Sequence, residues 1–397
     1  MTGRNSPDLG VRGLGGAPFA GIDSIVGLSL QLVSLPLKVS ISDAKVLTGR
    51  QRPLKEVALL FAEIYSENGQ RGMGFSYSKR AGGPALFAHA REIAGELIGE
   101  NPSDIGRLWE KLVWAGASVG RSGIATQAIA AFDVALWDLK AKRANLPLAK
   151  VLGSFRDSVP CYNTSGGFFS SSLEEVLENA TEARRHGIGG IKIKVGHPDM
   201  REDLKRVSAL REHLGPEFAL MVDANQQWTR ASALRIARSL EEFNLTWIEE
   251  PLDAYDVHGH SDLARKIDTP IATGEMLTSV AEHWNFISSS SLDIVQPDAP
   301  RVGGITPFLK IMSLADHFRL SLAPHFAMEL HVHLAAAYPH ETWVEHFDWL
   351  EPLFNERLKV ADGCMWVPDR PGLGLSLSEN VDEWVVDRYS VGNTTQN

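Results

Sequence analysis

The sequence predicts a (β/α)₈ barrel of the TIM type joined to a smaller α+β domain. Short runs rich in β-branched and aromatic residues follow one another after Pro160, at a period of roughly 25 residues. Amphipathic helical stretches separate most of these runs, as in a parallel sheet built from βα units. Polar residues recur at the carboxyl ends of the runs, which is where barrel enzymes place their chemistry.

The region before the barrel has a different pattern. LSLQLVSLPLKVSIS alternates apolar and polar positions as a half-buried strand does, and EVALLFAEIYS is a second β-like run. From about Ala85 to Arg143, apolar residues recur at three- and four-residue spacings, which predicts helices. We expect a flexible segment at residues 1–25, the α+β domain at 26–150, the barrel at 151–368, and a segment at 369–397 that returns to the first domain.

Composition and charge exclude several classes of protein. The chain has 397 residues, 44% hydrophobic and 22% charged, as in ordinary folded domains. Its net charge of −10 argues against a broad surface for nucleic acid or anionic membranes. No apolar run reaches the roughly 18 residues of a transmembrane helix. With two cysteines and no evident signal-peptidase site, we expect a cytoplasmic protein without nucleic-acid or membrane partners.

The run GIKIKV carries two lysines on one face. Side chains alternate along a strand, so Lys192 and Lys194 point the same way. In a barrel mouth each cation disfavours protonation of the other, which would lower a lysine pKa and let the neutral amine act as a base. Taken alone, the pattern also fits an ordinary solvated strand.

Acidic residues end the next β runs. Asp223 in MVDAN, Glu249 in WIEEP and Glu275 in ATGE are spaced 26 residues apart. Carboxylates from successive strand ends suit Mg²⁺, which prefers hard oxygen ligands and keeps positions for water or a substrate oxygen. Considered singly, each is better explained as a helix N-cap or a residue of a solvated turn. Asn225 and Glu250 adjoin them and are candidates for contacts to the substrate or to these carboxylates.

Three further residues end the later β runs. Asp298 in VQPDAP and His325 in APHFAM would form a dyad in which the carboxylate holds a general acid or base. Glu345 in WVEHF could donate to an enolate oxygen if it were protonated or strongly hydrogen-bonded. A structural histidine and a solvated carboxylate explain the same residues when each is considered alone.

The motifs KxK, VDAN, EEP, GE, PDA, PH and VEH occur in this order at barrel-strand spacing. The series resembles the mandelate racemase subgroup of the enolase superfamily, strand by strand from roughly Tyr162 to Glu345. The resemblance implies an α+β capping domain formed by the N-terminal region and the extreme C-terminus. It also implies a symmetric homo-oligomer.

The same resemblance implies roles for the residues. Those implied as Mg²⁺ ligands are Asp223, Glu249 and Glu275. Those implied as catalytic are Lys194 and His325 on opposite sides of the substrate, Asp298 behind His325, and Glu345. Those expected to contact the substrate are Asp43, Ala44, Lys45, Lys79, Arg80, Lys192, Asn225, Glu275, His325 and Glu345.

Substrate choice is expected to depend on two polar loops of the capping domain, the segments SDAKVLTGR and GFSYSKRAGG. Their basic residues could pair with the distal carboxylate of a diacid, while Asp43 and Tyr77 suit sugar hydroxyls. Ordinary exposed loop charge would give the same composition. Within the family these segments resemble those of acid-sugar dehydratases. That resemblance implies dehydration of an aldarate, L-talarate or galactarate, to 5-dehydro-4-deoxy-glucarate through an ene-diolate, with epimerisation at C2 as a side reaction.

Other functions remain open at this point. The same metal site and opposed bases would serve an epimerase or racemase, and another aldarate such as glucarate would fit the same polar lid. A non-catalytic acid-sugar binder with this fold is disfavoured, because such a binder would have lost at least one key group and the chain retains them all.

Overall fold

The computed structural model describes residues 23–394. The expected flexible segment, residues 1–25, lies outside this range except for its last three residues. Among the described helices, none combines the length and the apolar character needed to cross a bilayer.

The first part of the chain forms an antiparallel sheet. Its strands are β1 (Ile25–Ile41), β2 (Leu54–Ser66) and β3 (Arg71–Lys79). We predicted the first two, but GFSYSK was expected to be a loop, and this was wrong. Strand β3 was missed because glycine and serine weaken its β signal, although Phe75 and Tyr77 are buried.

The glycines of β3 are required by a helix that crosses the sheet. A Cβ atom at Gly72 or Gly74 would lie 2.1 or 2.2 Å from carbonyl oxygens of that helix. The helices of this region are α1 (Ala44–Leu47), α2 (Gly83–Ile93), α3 (Ile105–Ala115), α4 (Ile124–Arg143) and α5 (Leu148–Leu152). The crossing helix is α4, and the missing side chains let it approach the sheet backbone closely.

Helix α4 also ties the sheet to the second domain. The buried carboxylate of Asp133 accepts a hydrogen bond of 2.9 Å from the Thr306 backbone N–H. One turn further on, Asp138 accepts bonds of 2.8 Å from the N–H groups of Met73 and Leu373. Buried carboxylates satisfied in this way fix the orientation of β3 over the barrel.

The second domain is a barrel of parallel strands, eight within the described residues. They are β4 (Ser158–Asn163), β5 (Gly190–Lys194), β6 (Ala219–Asp223), β7 (Trp247–Glu249), β8 (Ile271–Thr273), β9 (Ile294–Val295), β10 (Ser321–Leu322) and β11 (Val344–His346). They are neighbours in this order, and β11 pairs with β4. A parallel bridge between Leu322 and Thr342 closes the ring.

Helices connect the barrel strands. They are α6 (Leu173–Arg185), α7 (Met200–Leu214), α8 (Arg230–Leu240), α9 (Val257–Ala264), α10 (Val280–Ser288), α11 (Ala299–Val302), α12 (Ile305–His317) and α13 (Met328–Ala336). Side chains cap several of them, and Ser172 forms a capping box with Glu175 at α6. The eighth strand differs from a regular (β/α)₈ unit, because the 3₁₀ helix Asp348–Leu353 follows it in place of an α-helix.

The last strands return to both domains. Strands β12 (Val360–Ala361) and β13 (Cys364–Trp366) form a hairpin, and β13 pairs antiparallel with β4. Strand β14 (Val385–Gly392) pairs antiparallel with β1, so the sheet order is β14-β1-β2-β3 in the described part of the chain. The capping sheet thus contains chain from both sides of the barrel.

The barrel interior is closed below the polar residues. Its floor is built from Tyr162, Met221, Trp247, Ala272, Ile294 and Ala323. The rings of Tyr162 and Trp247 meet edge to face, with centroids 5.1 Å apart. Chemistry is therefore confined to the mouth that faces the capping sheet.

Candidate active site

Asp223, Glu249 and Glu275 converge at the carboxyl ends of neighbouring strands. Asp223 and Glu249 are register partners at the ends of β6 and β7, and Glu275 lies two residues beyond β8. Each offers an oxygen, and these oxygens lie within 4.8 Å of one another. All three residues are buried. The cluster has the hard oxygen donors that a divalent cation such as Mg²⁺ requires.

Lys192 lies beneath this cluster. Its ammonium donates to both oxygens of Glu249 at 2.7 Å and lies 2.7 Å from Oε1 of Glu345. Burial alone would lower its pKa, but the two carboxylates outweigh burial and raise that pKa well above its ordinary value. Lys192 does not line the cavity that the site encloses. In this structure Lys192 is a buried counter-ion of Glu249 and Glu345, and its contact with the substrate stays a prediction.

Lys194 lines the cavity and donates to Oδ2 of Asp223. Burial lowers and Asp223 raises the pKa of Lys194, and the net direction is upward. We expected the neighbouring lysines to lower one another's pKa. Lys192 does lower the pKa of Lys194, but the attraction of Lys194 to Asp223 exceeds this repulsion, so the net lowering that we expected is not found.

Asp298 and His325 form a dyad. Nδ1 of His325 lies 2.7 Å from Oδ2 of Asp298, and Nε2 lies 3.1 Å from Oε2 of Glu275. Burial would raise the pKa of Asp298, but the hydrogen bond and charge of His325 lower it. The ionised carboxylate accepts the Nδ1 proton, and Nε2 faces Glu275 and the cavity.

Glu345 is an acceptor in this structure. Its carboxylate takes hydrogen bonds of 2.8 Å from the Thr164 hydroxyl and 2.7 Å from the Phe326 N–H, besides its ion pair with Lys192. Burial raises and Lys192 lowers the pKa of Glu345, to about 2 overall. These contacts favour the ionised carboxylate, and donation from Glu345 to an enolate oxygen stays a prediction.

A cavity of about 110 Å³ lies between the barrel mouth and the capping sheet. Of the residues expected to touch the substrate, those that line it are Asp43, Lys45, Lys79, Arg80, Asn225, Glu275, His325 and Glu345, and the catalytic candidate Lys194 lines it as well. Ala44 does not line it. It is fully buried at the start of α1 and packs towards Gly196, and its contact with the substrate stays a prediction.

The two cations of the capping domain, Arg80 and Lys79, differ in whether a carboxylate already binds them. Arg80 is held by Asp43 at 3.0 Å and by the Arg52 carbonyl at 2.9 Å. Lys79 lies 3.4 Å from Nε2 of His325 and 4.0 Å from the Phe326 ring centroid. Burial lowers the pKa of Lys79 to about 8, although Glu275 and Glu345 oppose the shift. Its ammonium is held by rings rather than by a carboxylate.

Arg301 is a cavity residue that we missed. It lies in the first turn of α11, three residues after Asp298 in the PDAPR sequence. Nη1 donates to the Glu275 carbonyl at 3.0 Å and approaches Sδ of Met276 at 3.1 Å. Within residues 23–394, its guanidinium pairs with no carboxylate and its buried Nε has no partner. The PDA motif indicated a role for Asp298, but no motif indicated one for Arg301 three residues later.

Comparison with protein families agrees with this geometry. Residues 175–381 match the description "Enolase C-terminal domain-like", and residues 50–153 match "Mandelate racemase / muconate lactonizing enzyme, N-terminal domain". The chain belongs to the enolase superfamily. In this superfamily member the first match covers most of the barrel and the second covers most of the capping domain.

Similar enolase-superfamily proteins are known by sequence and by structure. The chain is 63% identical over 362 residues to L-talarate/galactarate dehydratase of Salmonella typhimurium, covering 91% of each chain. A crystal structure of that enzyme with Mg and L-lyxarohydroxamate has a TM-score of 0.93, with 61% identity over 94% of this chain and 95% of that one. L-talarate dehydratase from Polaromonas sp. JS666, with Mg and L-glucarate, has a TM-score of 0.91, with 65% identity over 94% and 100%.

Proposed function

We propose that this protein is a Mg²⁺-dependent hydro-lyase that dehydrates L-talarate and galactarate to 5-dehydro-4-deoxy-glucarate. The observation that carries the proposal is the placement of Lys194 and the Asp298–His325 dyad at one cavity beside three converging carboxylates. The 63% identity to L-talarate/galactarate dehydratase supports the choice of reaction and substrate.

We assign the metal site to Asp223, Glu249 and Glu275. Their mutual distances and all-oxygen chemistry fit Mg²⁺, and no sulfur or imidazole group competes among these ligands. When bound, the ion would hold a substrate carboxylate and stabilise the charge that develops there as the α-proton leaves.

The acid and base come from strands two and seven of the barrel. Lys194 projects from the end of β5, and His325 follows β10, so they reach the cavity from different sides. One of them takes the α-proton as the C–H bond breaks. The other protonates the departing β-hydroxyl, so that the C–O bond breaks, water leaves and the resulting enol ketonises. Because Nδ1 of His325 is bonded to Asp298, Nε2 is the nitrogen available for proton transfer at the cavity.

The cavity also offers cations for a second carboxylate. Among the described residues that line it, Lys45, Lys79 and Arg301 pair with no carboxylate, whereas Arg80 is held by Asp43. We assign Arg301 and Lys45 to the distal carboxylate of the diacid, because a guanidinium can bind both carboxylate oxygens at once. Asp43 and Asn225 supply polar groups for the sugar hydroxyls.

An epimerase is the second candidate. The observation that favours it is the same pair, since proton removal by one group and return by the other inverts C2 without loss of water. Dehydration of another aldarate such as glucarate also fits the cavity. Cytoplasmic residence and a symmetric homo-oligomer stay predictions from the sequence.

The test is formation of a 2-keto acid from a panel of aldarates and aldonates, followed as the semicarbazone with Mg²⁺ and with EDTA. Metal-dependent product from L-talarate or galactarate is the expected result. Deuterium uptake into substrate from D₂O without keto acid would favour the epimerase. Lys194→Ala and His325→Ala should each abolish dehydration while calorimetry still detects Mg²⁺ binding. Wild-type activity in either variant would contradict the assigned roles.

A further inference from the structure

Strand β3 of the capping sheet contacts both nitrogens of the dyad imidazole. The Tyr77 hydroxyl lies 3.3 Å from Nδ1 of His325, and the Lys79 ammonium lies 3.4 Å from Nε2. Residues two apart in a strand share a face, so one face of β3 flanks the ring. These contacts join positions 248 and 246 residues apart in the chain.

The direction of the tyrosine hydrogen bond follows from its neighbours. Nδ1 of His325 already donates to Oδ2 of Asp298 at 2.7 Å, so it has no lone pair for the Tyr77 proton. Tyr77 therefore donates to the same Oδ2, with which its hydroxyl is hydrogen-bonded. The second oxygen, Oδ1, accepts the Arg301 backbone N–H at 3.1 Å.

We propose that Tyr77 is a positioning residue for the Asp298–His325 dyad, so that the capping sheet supplies the third member of the barrel's proton-transfer group. This inference rests on the proposed function for its kinetic consequence only. Tyr77 and His325 share Oδ2, which fixes the carboxylate plane and the angle at which Nε2 faces the cavity. The Tyr77 ring is also fixed, because it meets Phe326 edge to face at 4.8 Å.

The role differs from the one expected for Tyr77, which was contact with a sugar hydroxyl. The residue lines the cavity, but its hydroxyl is committed to Asp298. Loss of that hydroxyl should therefore affect proton transfer by His325 more than substrate affinity. Lys194 lies on a different strand and takes no part in this hydrogen-bond group, so its proton transfer serves as an internal reference.

The test compares Tyr77→Phe with Tyr65→Phe in the full-length protein with Mg²⁺. Tyr65 also donates to a carboxylate, Glu63 at 2.8 Å, but in the capping sheet outside the cavity. For Tyr77→Phe we expect kcat for dehydration to fall about 10- to 100-fold with little change in KM, as when the partner that orients a functional imidazole is removed. Deuterium exchange catalysed by Lys194, measured in a His325→Ala background, should not change. Tyr65→Phe should match the wild type.

A second readout does not need turnover. The Nδ1 proton of His325, bonded to Asp298, should give a low-field proton resonance, assigned by its loss in Asp298→Asn. Removing the shared donor strengthens this bond, so the resonance should move further downfield in Tyr77→Phe and stay in place in Tyr65→Phe. An unmoved resonance, or an equal loss of dehydration and of the exchange catalysed by Lys194, would overturn the proposal. A moved resonance in a protein inactive on every aldarate would uphold it and refute the proposed function instead.

Discussion

Glu329 should make the protein less stable as pH rises. Its side chain is 3% exposed in α13, and neither carboxylate oxygen has a hydrogen-bond partner among residues 23–394. Burial raises the pKa of Glu329 from 4.5 to about 8, so the folded protein holds a proton that the unfolded chain has lost. Its stabilising effect is complete below pH 4.5 and disappears as pH rises through about 8.

The magnitude follows from linkage. Between these two pKa values the free energy of unfolding should fall by about 1.36 kcal/mol for each pH unit, or roughly 5 kcal/mol in all as an upper limit. Glu329→Met keeps the volume and removes the titrating group. We therefore expect the variant to gain stability over the wild type above pH 7, and the difference between them to grow with pH.

The assay is urea unfolding followed by tryptophan fluorescence at several pH values from 5 to 9. Glu329→Gln separates the charge from the buried polar group, because it should lose the pH dependence yet remain less stable than the methionine variant. If Glu329→Met were less stable than the wild type by a constant amount at every pH, the carboxylate would be ionised and stabilised by Arg357. The assignment of a buried neutral acid would then be refuted.

Three further predictions concern the cavity, the capping sheet and acid stability. Arg301→Met should raise KM for diacids about 10- to 100-fold, the loss of a charge-assisted pair, and leave aldonate kinetics unchanged; equal effects on both substrate classes would contradict its assignment. Gly74→Ala places a Cβ 2.2 Å from the Ala131 carbonyl oxygen, so its melting temperature should fall well below that of Gly106→Ala in α3, where no atom lies within 4 Å. Burial lowers the pKa of His283 to about 4, so the unfolded chain binds a proton at a higher pH than the folded protein does. As the pH falls from about 6.5 to 4, the free energy of unfolding should therefore fall by about 3 kcal/mol. If urea unfolding of His283→Leu showed the wild-type dependence of stability on pH, this cause would be excluded.

The sequence located the residues that end barrel strands. Asp223, Glu249 and Lys194 were predictable because strand alternation and parallel pairing place successive strand ends at one rim. The burial of Lys192 was not, since period-2 alternation says which face a residue takes but not which carboxylates meet it there. The charges of Glu249 and Glu345 raise the pKa of Lys192, whereas we expected a neighbouring lysine to lower it.

Contacts between the domains were the other limit. Tyr77 reaches Asp298 across 221 residues of sequence, and its strand was taken for a loop. Such a contact depends on how α4 positions the capping sheet over the barrel, and no local sequence pattern predicts that arrangement. From the sequence we missed Arg301 for a related reason. An arginine in a short helix is usually solvated, and only the closed cavity gives this one a role towards a ligand.

The pairing of β14 with β1 sets an order for assembly during synthesis. Every barrel strand leaves the ribosome before Val385–Gly392, so the capping sheet stays one strand short while the barrel is already able to close. The nascent chain therefore exposes one edge of β1 until the final strand arrives. Completion of the capping sheet therefore follows the synthesis of all eight described barrel strands, and a ribosome stalled before residue 385 would display a barrel beneath an incomplete sheet.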